Sequence, residues 1–249
     1  VAFDTETDSL DSMQASLVGL SLSIQGGSAC YVPLAHVAPG EESNRELDLG
    51  REPIGEPEDI PRQIPLNRAI EILKPMLENP GILKVGHNIK YDMQVMLRHG
   101  VEVAPIDDTM LLSYVLEGGL HGHGLDELAI LHLGHTNIKF SEVAGTGKKQ
   151  ITFDQVPLDK ALNYAAEDAE VTGRLYRLFK PRIAEESMAF VYETLERRLV
   201  PVLSAIERAG IIVDATFLKE LSSDFEKRTA DIAAEIYELA DHEFNIGSP

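Results

Sequence analysis

Three apolar, strand-like runs crowd into the first 34 residues: 1–6, "SLVGLSLSI" at 16–24 and "SACYVPL" at 28–34. Gly26 and Gly27 lie between the last two, and glycine supplies the positive φ that tight hairpin turns need. Connections this short favour antiparallel pairing. The pattern then changes. "LNRAIEILKPMLENPG" (66–81) predicts an amphipathic helix stopped at Asn79-Pro80-Gly81. "ILKVGHN" (82–88) predicts a fourth strand and "VEVAPI" (101–106) a fifth. Between them Ile89, Met93, Met96 and Leu97 share a helix face, with Asn88 as N-cap and Gly100 as stop. An antiparallel start followed by alternating helix and strand argues for a mixed sheet covered by helices, of α/β or α+β class.

The remainder reads as helices near 108–117 and 124–133, an irregular stretch at 138–153, and a long helix from Pro157 to about Phe179. Residues 38–64, rich in Pro, Gly, Glu and Asp, read as a solvated loop. From about residue 185 the pattern is almost purely helical, which marks a domain boundary. No apolar run approaches the ~20 residues of a membrane span. Residue 1 is a valine already inside a strand-like run, so the chain is expected to begin within a longer protein. The one cysteine, Cys30, excludes an internal disulfide and a multi-cysteine zinc site. It fits a reducing cytosol, and its apolar surroundings predict a buried small hydrophobe. The net charge of −19 runs against a nucleic-acid partner gripped by a basic surface. Bound metal ions would neutralise part of it, and a module tethered to a DNA-gripping neighbour needs little affinity of its own.

The first strand runs directly into acid in "VAFDTETDSL". Asp4 and Glu6, two residues apart, project on one strand face, where two ionised carboxylates repel unless one is protonated or a cation lies between them. The stretch fits either a solvated loop or half of a divalent-metal site with hard oxygen ligands. Asp92, one turn into its helix, reads in isolation as an acid placed there by the helix dipole. Asp168 is harder to dismiss, because aspartate is a poor mid-helix residue, and Tyr164 four positions earlier shares its face. Glu167 and Glu170 read as solvated surface.

"FDTET", "GHNIKYD" and "YAAEDAEVT" occur in that order, and together they resemble the three exonuclease motifs of the DEDD superfamily, tyrosine subtype. Residues 1–184 as a whole resemble the 3′–5′ exonuclease domain of bacterial family A DNA polymerases. Residues 185–249, with "YETLERRLVPVLSAIERAGIIVD", resemble the start of the polymerase domain at the base of its thumb, truncated before any polymerase catalytic motif. The resemblance implies a ribonuclease-H-like fold, with a mixed five-strand sheet flanked by helices and followed by an all-helical segment. It implies proofreading hydrolysis of DNA from a single-stranded or frayed 3′ end, in a bacterial cytoplasmic monomer tethered to a polymerase domain. Two divalent ions, magnesium or manganese, would be held by Asp4, Glu6, Asp92 and Asp168, with Asp4 bridging the pair and Asp92 acting largely through water. Tyr164 and Glu6 would orient the attacking water. Leu10 and Phe140 match positions that pack against the terminal bases, with core packing as the alternative. Asn88 would contact the DNA backbone or only cap its helix. His87 and Gly122 stand where some members carry Gln and Arg, which leaves those substrate contacts open.

Two rival readings share these motifs: an exoribonuclease of the same superfamily, and a nonenzymatic nucleic-acid docking domain. The polymerase-like continuation and the full acidic set favour the DNA exonuclease. "GTGKKQ" is no phosphate loop, since Lys149 stands where Ser or Thr should follow Gly-Lys. "HGHG" (121–124) with His132 and His135 lacks cysteine partners and reads as surface or helix-capping histidines rather than zinc ligands.

Overall fold

The structure, a computed structural model, describes residues 1–37 and 63–247. Strands β1 (Ala2–Thr7), β2 (Leu17–Gln25) and β3 (Ser28–Pro33) form the antiparallel meander that their spacing predicts. β4 (Lys84–Gly86) and β5 (Ile106–Asp108) add in parallel on the other side of β1, giving the order β3-β2-β1-β4-β5. β1 is therefore central, and it is the strand at which pairing changes from antiparallel to parallel. Its carboxyl end, which carries Asp4 and Glu6, opens beside that of β4.

The two faces of the sheet are covered differently. Phe3, Leu17 and Leu20 pack with α1 (Leu66–Leu77) and α2 (Lys90–Arg98) through Ala69, Leu77, Ile89, Val95 and Met96. Across β1, β2 and β3 on the other face lies α6 (Leu158–Glu185). Ala161, Ala165, Ala169 and Gly173 repeat every four residues along α6, so its sheet-facing stripe is narrow. A Cβ placed on Gly173 would lie 3.4 Å from the Ala2 side chain. This close approach brings Tyr164 and Asp168, each one residue before an alanine of the stripe, to the end of β1.

Five expectations shift. The fifth strand is Ile106–Asp108, not 101–106. Pro105 has no N–H for a ladder, and Val101 and Val103 instead bury as irregular chain against the α1 side. β4 is only three residues long. Asn88 is not the N-cap of α2: Ile89 is, with no side-chain cap, and Asn88 adopts φ 59°. After the one-turn helix α4 (Leu125–Leu128), Phe140–Ala144 within the irregular 138–153 stretch forms a short helix, α5, that buries Val143 and Ala144. Cys30 is exposed, because the outer strand β3 leaves one face uncovered. The loop expected at 38–64 falls, except for its last two residues, outside the described residues.

Two adjacent aspartates of β5 fasten the helices to the sheet. Asp108 caps α3 (Thr109–Glu117), accepting from Met110 N–H at 2.8 Å and Leu111 N–H at 3.3 Å. The same carboxylate accepts from Asn88 and Ile89 N–H, at 3.2 and 2.9 Å, and so also holds the start of α2. Asp107 is fully buried and pairs with Lys180 at 2.9 Å and Arg197 at 3.0 Å, while the Tyr192 hydroxyl donates to it at 2.9 Å. Arg197 opens α7 (Arg197–Ala209). Tyr192 lies in a π-helical turn, Val191–Glu196, and is itself fully buried. Compactness accordingly divides the chain into Val1–Arg208 and Ala209–Pro249. In the second unit α8 (Ala215–Ala240) is capped by Asp214 and buries none of its residues.

Replacing Asp108 by alanine leaves four N–H groups at two helix starts without their acceptor, the one of Ile89 buried and the others partly so. The expected cost is about 2–4 kcal/mol, from the worth of one cap taken twice. Urea unfolding of Asp108→Ala against wild type measures it, and a loss below about 0.5 kcal/mol would contradict the double cap.

Candidate active site

At the carboxyl end of β1 the structure draws three of the expected carboxylates together. Asp4, Glu6 and Asp168 each offer an oxygen within 4.8 Å of the others. Asp4 and Glu6 face α6, as the two-residue strand period requires. Glu6 is buried, and one of its oxygens has no hydrogen-bond partner, whereas Asp4 and Asp168 are partly open to a cleft of about 700 Å³. Asp92 approaches from the opposite face. Thr5, between the two acids of β1, points that way and holds one Asp92 oxygen, through its N–H at 2.9 Å and its hydroxyl at 2.5 Å. Asp92 is almost completely buried and does not line the cleft.

All four carboxyl groups are harder to ionise than usual. Burial is the main cause for each. Asp168 adds repulsion on Asp4; Asp4, Asp168 and Asp92 add it on Glu6; and Asp4 adds it on Asp92, where the two Thr5 hydrogen bonds act the other way. Asp168 is pushed up to about 8 by burial and by the negative charges of Asp126 and Glu167, partly offset by a hydrogen bond with Tyr164. Burial, then Asp168, pushes the Tyr164 phenol far up, so it is a neutral hydrogen-bonding group.

The cleft also receives Leu10, Asn88, Phe140 and Tyr164. Leu10 is 98% exposed, so core packing does not account for it. Phe140 is 36% exposed and stacks on Phe153, their centroids 6.4 Å apart, with its edge toward Tyr164. Neither His87 nor Gly122 reaches the cleft. His87 turns to Thr109 at 2.9 Å, and burial lowers its pKa to about 4. The Gly122 N–H donates to Glu127 at 2.9 Å. Lys148 and Lys149 sit on a short exposed 3₁₀ turn with no phosphate cradle. Glu167 and Glu170 are not free surface: Glu167 takes His135 and the Ile138 N–H, and Glu170 takes the Gly27 N–H of the hairpin.

Sequence reasoning missed Thr5, although a hydroxyl residue between two acids on a strand must face the other side. It also missed Tyr31. Glu6 pairs with Gly19 across β1 and β2, and the Tyr31 phenol occupies the space beside Gly19. The His36 Nδ1–H donates to the Val156 carbonyl at 3.1 Å, so His36 Nε2 accepts the Tyr31 O–H at 2.7 Å. Burial lowers the His36 pKa, consistent with that neutral form.

Residues 1–184 match the family described as 3′-5′ exonuclease. The chain belongs to this family. It is 46% identical to DNA polymerase I of Rhizobium leguminosarum and 42% identical to that of Pseudomonas aeruginosa, over its whole length in both cases. It spans about a quarter of each, 24% and 26%. Among solved structures it is similar to the polymerase domain of Pol1 from M. smegmatis, in complex with DNA primer-template and dNTP. There the TM-score is 0.72 at 19% identity, covering 99% of this chain and 35% of that one. It is also similar to Brucella melitensis NrnC with bound Mg2+, with a TM-score of 0.58 at 19% identity, covering 86% of this chain and 89% of that one. The fold is ribonuclease-H-like, as these structures and the mixed five-strand sheet agree.

The raised carboxyl pKa values set a pH dependence for the metal-free protein. Between the ordinary carboxylate value near 4 and about 8 for Asp168, the folded state holds more protons than the unfolded one. Stability therefore falls as pH rises through that window. Thermal melts in EDTA are expected to give a lower Tm at pH 8 than at pH 5, with magnesium or manganese removing most of the loss. A metal-free Tm that rises over that range would contradict the repulsion.

Proposed function

We propose that this chain is the proofreading domain of a DNA polymerase, hydrolysing DNA from the 3′ end and releasing nucleoside monophosphates. The observation that carries the reading is the convergence of Asp4, Glu6 and Asp168 at the end of a cleft where Tyr164 bonds Asp168. Hard oxygen donors, a buried unpartnered Glu6 oxygen and raised carboxyl pKa values all fit divalent cations, of which magnesium is the best match. When bound, two such ions would supply charge neutralisation at phosphorus, an acidified water and a stabilised leaving oxygen. Asp4, Glu6 and Asp168 would hold the first ion, Asp4 would also serve the second, and Asp92, fixed by Thr5, would support it. Tyr164, uncharged, and Glu6 would orient the attacking water.

Leu10 and Phe140 offer apolar surface on which unpaired terminal bases rest. Such packing tolerates any base and requires a frayed or single-stranded end. Asn88 lines the same cleft and offers its side chain to the backbone of the strand. Residues 1–184 constitute the exonuclease domain, and 185–249 the opening of a polymerase domain, in a monomeric bacterial cytoplasmic enzyme. No described helix is long and apolar enough to cross a membrane.

Single-turnover digestion of 5′-labelled single-stranded DNA tests the assignment. Asp4→Ala and Asp168→Ala are expected to fall to background and to lose metal-induced stabilisation. Tyr164→Phe keeps the ring and deletes the hydroxyl, so metal binding should survive while the rate drops roughly 10²–10³-fold, the typical loss for one positioned hydrogen-bonding group. Wild-type cleavage by Asp4→Ala would return the "FDTET" acids to a solvated loop. Strong preference for RNA of the same sequence would favour the exoribonuclease reading.

A further inference from the structure

Away from the cleft, a second group of side chains gathers. Glu117, at the end of α3, places Oε2 at 2.8 Å from His121 Nε2 and 2.9 Å from His132 Nε2. The three side chains are only 11–15% exposed, and their ligand-type atoms all lie within 4.8 Å of one another. None of them lines the acidic cleft. His135, grouped with them in the sequence reading, is not a member, since it bonds Glu167.

Hydrogen bonding alone fits this arrangement poorly when the imidazoles are neutral. His121 Nδ1 lies 2.6 Å from the Gly122 carbonyl, which can only accept, so the ring proton is on Nδ1. His121 Nε2 then faces a carboxylate oxygen; the same two contacts raise the His121 pKa, so without metal a second proton competes for this position. His132 Nε2 is buried and, despite its 2.9 Å approach to the same oxygen, has no aligned hydrogen-bond partner. Two imidazole nitrogens and one carboxylate oxygen converging on a point are the donor set of a cation. The His121–Gly122 bond is also the kind of outer contact that orients a metal-ligating histidine. Charge agrees. Arg182 holds the other Glu117 oxygen at 2.6 Å and Glu186 at 2.8 Å, and Glu127 takes the Gly122 N–H at 2.9 Å. Glu117, Glu186 and Glu127 against the single Arg182 give the surroundings of the cluster a net negative charge.

We propose that Glu117, His121 and His132 form a metal site for a borderline transition ion of the zinc class, with a fourth position open to water. Two nitrogens and one oxygen select zinc or cobalt over magnesium, so this site and the acidic cleft take different ions. The ligand atoms need to spread only to about 3.3 Å apart to accept bonds of about 2.0–2.1 Å. The site ties the end of α3, the 118–124 turn and the π-helical turn Ala129–Leu133 to one another, and Arg182 links them to α6. Absence of cysteine argued against zinc in the sequence; the missed signal was Glu117 four residues before His121, which a helix end brings together.

The test is cobalt(II) titration of the metal-stripped full chain in excess magnesium. A four-coordinate nitrogen–oxygen site gives an intense visible absorption band, whereas a six-coordinate all-oxygen site gives a weak one. The expected result is one equivalent bound with the intense band, retained in Asp4→Asn and displaced by zinc. His132→Gln should weaken binding at least about tenfold and remove the band while circular dichroism stays unchanged. No intense band in wild type under excess magnesium would overturn the proposal and leave a hydrogen-bonded cluster only. A band and affinity unchanged in both His132→Gln and His121→Gln would overturn it equally.

Discussion

Repulsion among carboxylates is the constraint around which the chain is arranged. Asp4 and Glu6 share one face of β1, and Asp168 is pressed toward them from α6. Among the described residues no cationic side chain pairs with them. The protein holds them together by backbone geometry and close packing instead. The alanine-glycine stripe lets α6 lie near the sheet, and Thr5 holds Asp92 from behind. That arrangement costs stability in the absence of metal, and the raised carboxyl pKa values carry the cost. The same preorganisation gives divalent ions an electrostatic welcome that flexible loop acids would lack.

Positions this exact require the helices to be fixed to the sheet, and β5 does it with two consecutive residues. Successive strand side chains point to opposite faces. Asp108 therefore turns to the starts of α2 and α3, and Asp107 to Lys180 of α6 and Arg197 of α7. Both carboxylates are buried, and both are multiply bonded, which is the condition under which buried charge is tolerated. Through Asp108, the helix that carries Asp92 is registered against the sheet that carries Asp4.

The elements that could be read in the sequence were those with a strong period or strong punctuation. The meander with its Gly26-Gly27 turn, α1, α2 and the long α6 all follow from them. The resemblance of the three motifs grouped Asp4, Glu6, Asp92, Tyr164 and Asp168, of which all but Asp92 line one cleft. What escaped depends on contacts distant in sequence. Asn88 looked like a cap because its residue type and position suit one, yet Asp108, twenty residues later, takes the donors. Residues 101–104 have a strand's composition and are irregular, because burial of Val101 and Val103 does not require a ladder. Cys30 looked buried because an apolar run does not say which strand will be outermost. The partnership of Glu117 with two histidines spans a turn whose path no local pattern specifies.

Gly19 bears on how this sheet can vary over evolutionary time. A methyl group there would lie 2.2 Å from the Tyr31 oxygen, far inside the contact distance of a methyl carbon and an oxygen. Its placement would force the aromatic ring out, break the link to His36 and disturb the Phe153 packing that backs the cleft. A position with no ionisable group, no hydrogen bond of its own side chain and no place in any motif is therefore barred from drifting. Its immobility would look, in a catalogue of tolerated substitutions, like that of a residue that performs chemistry.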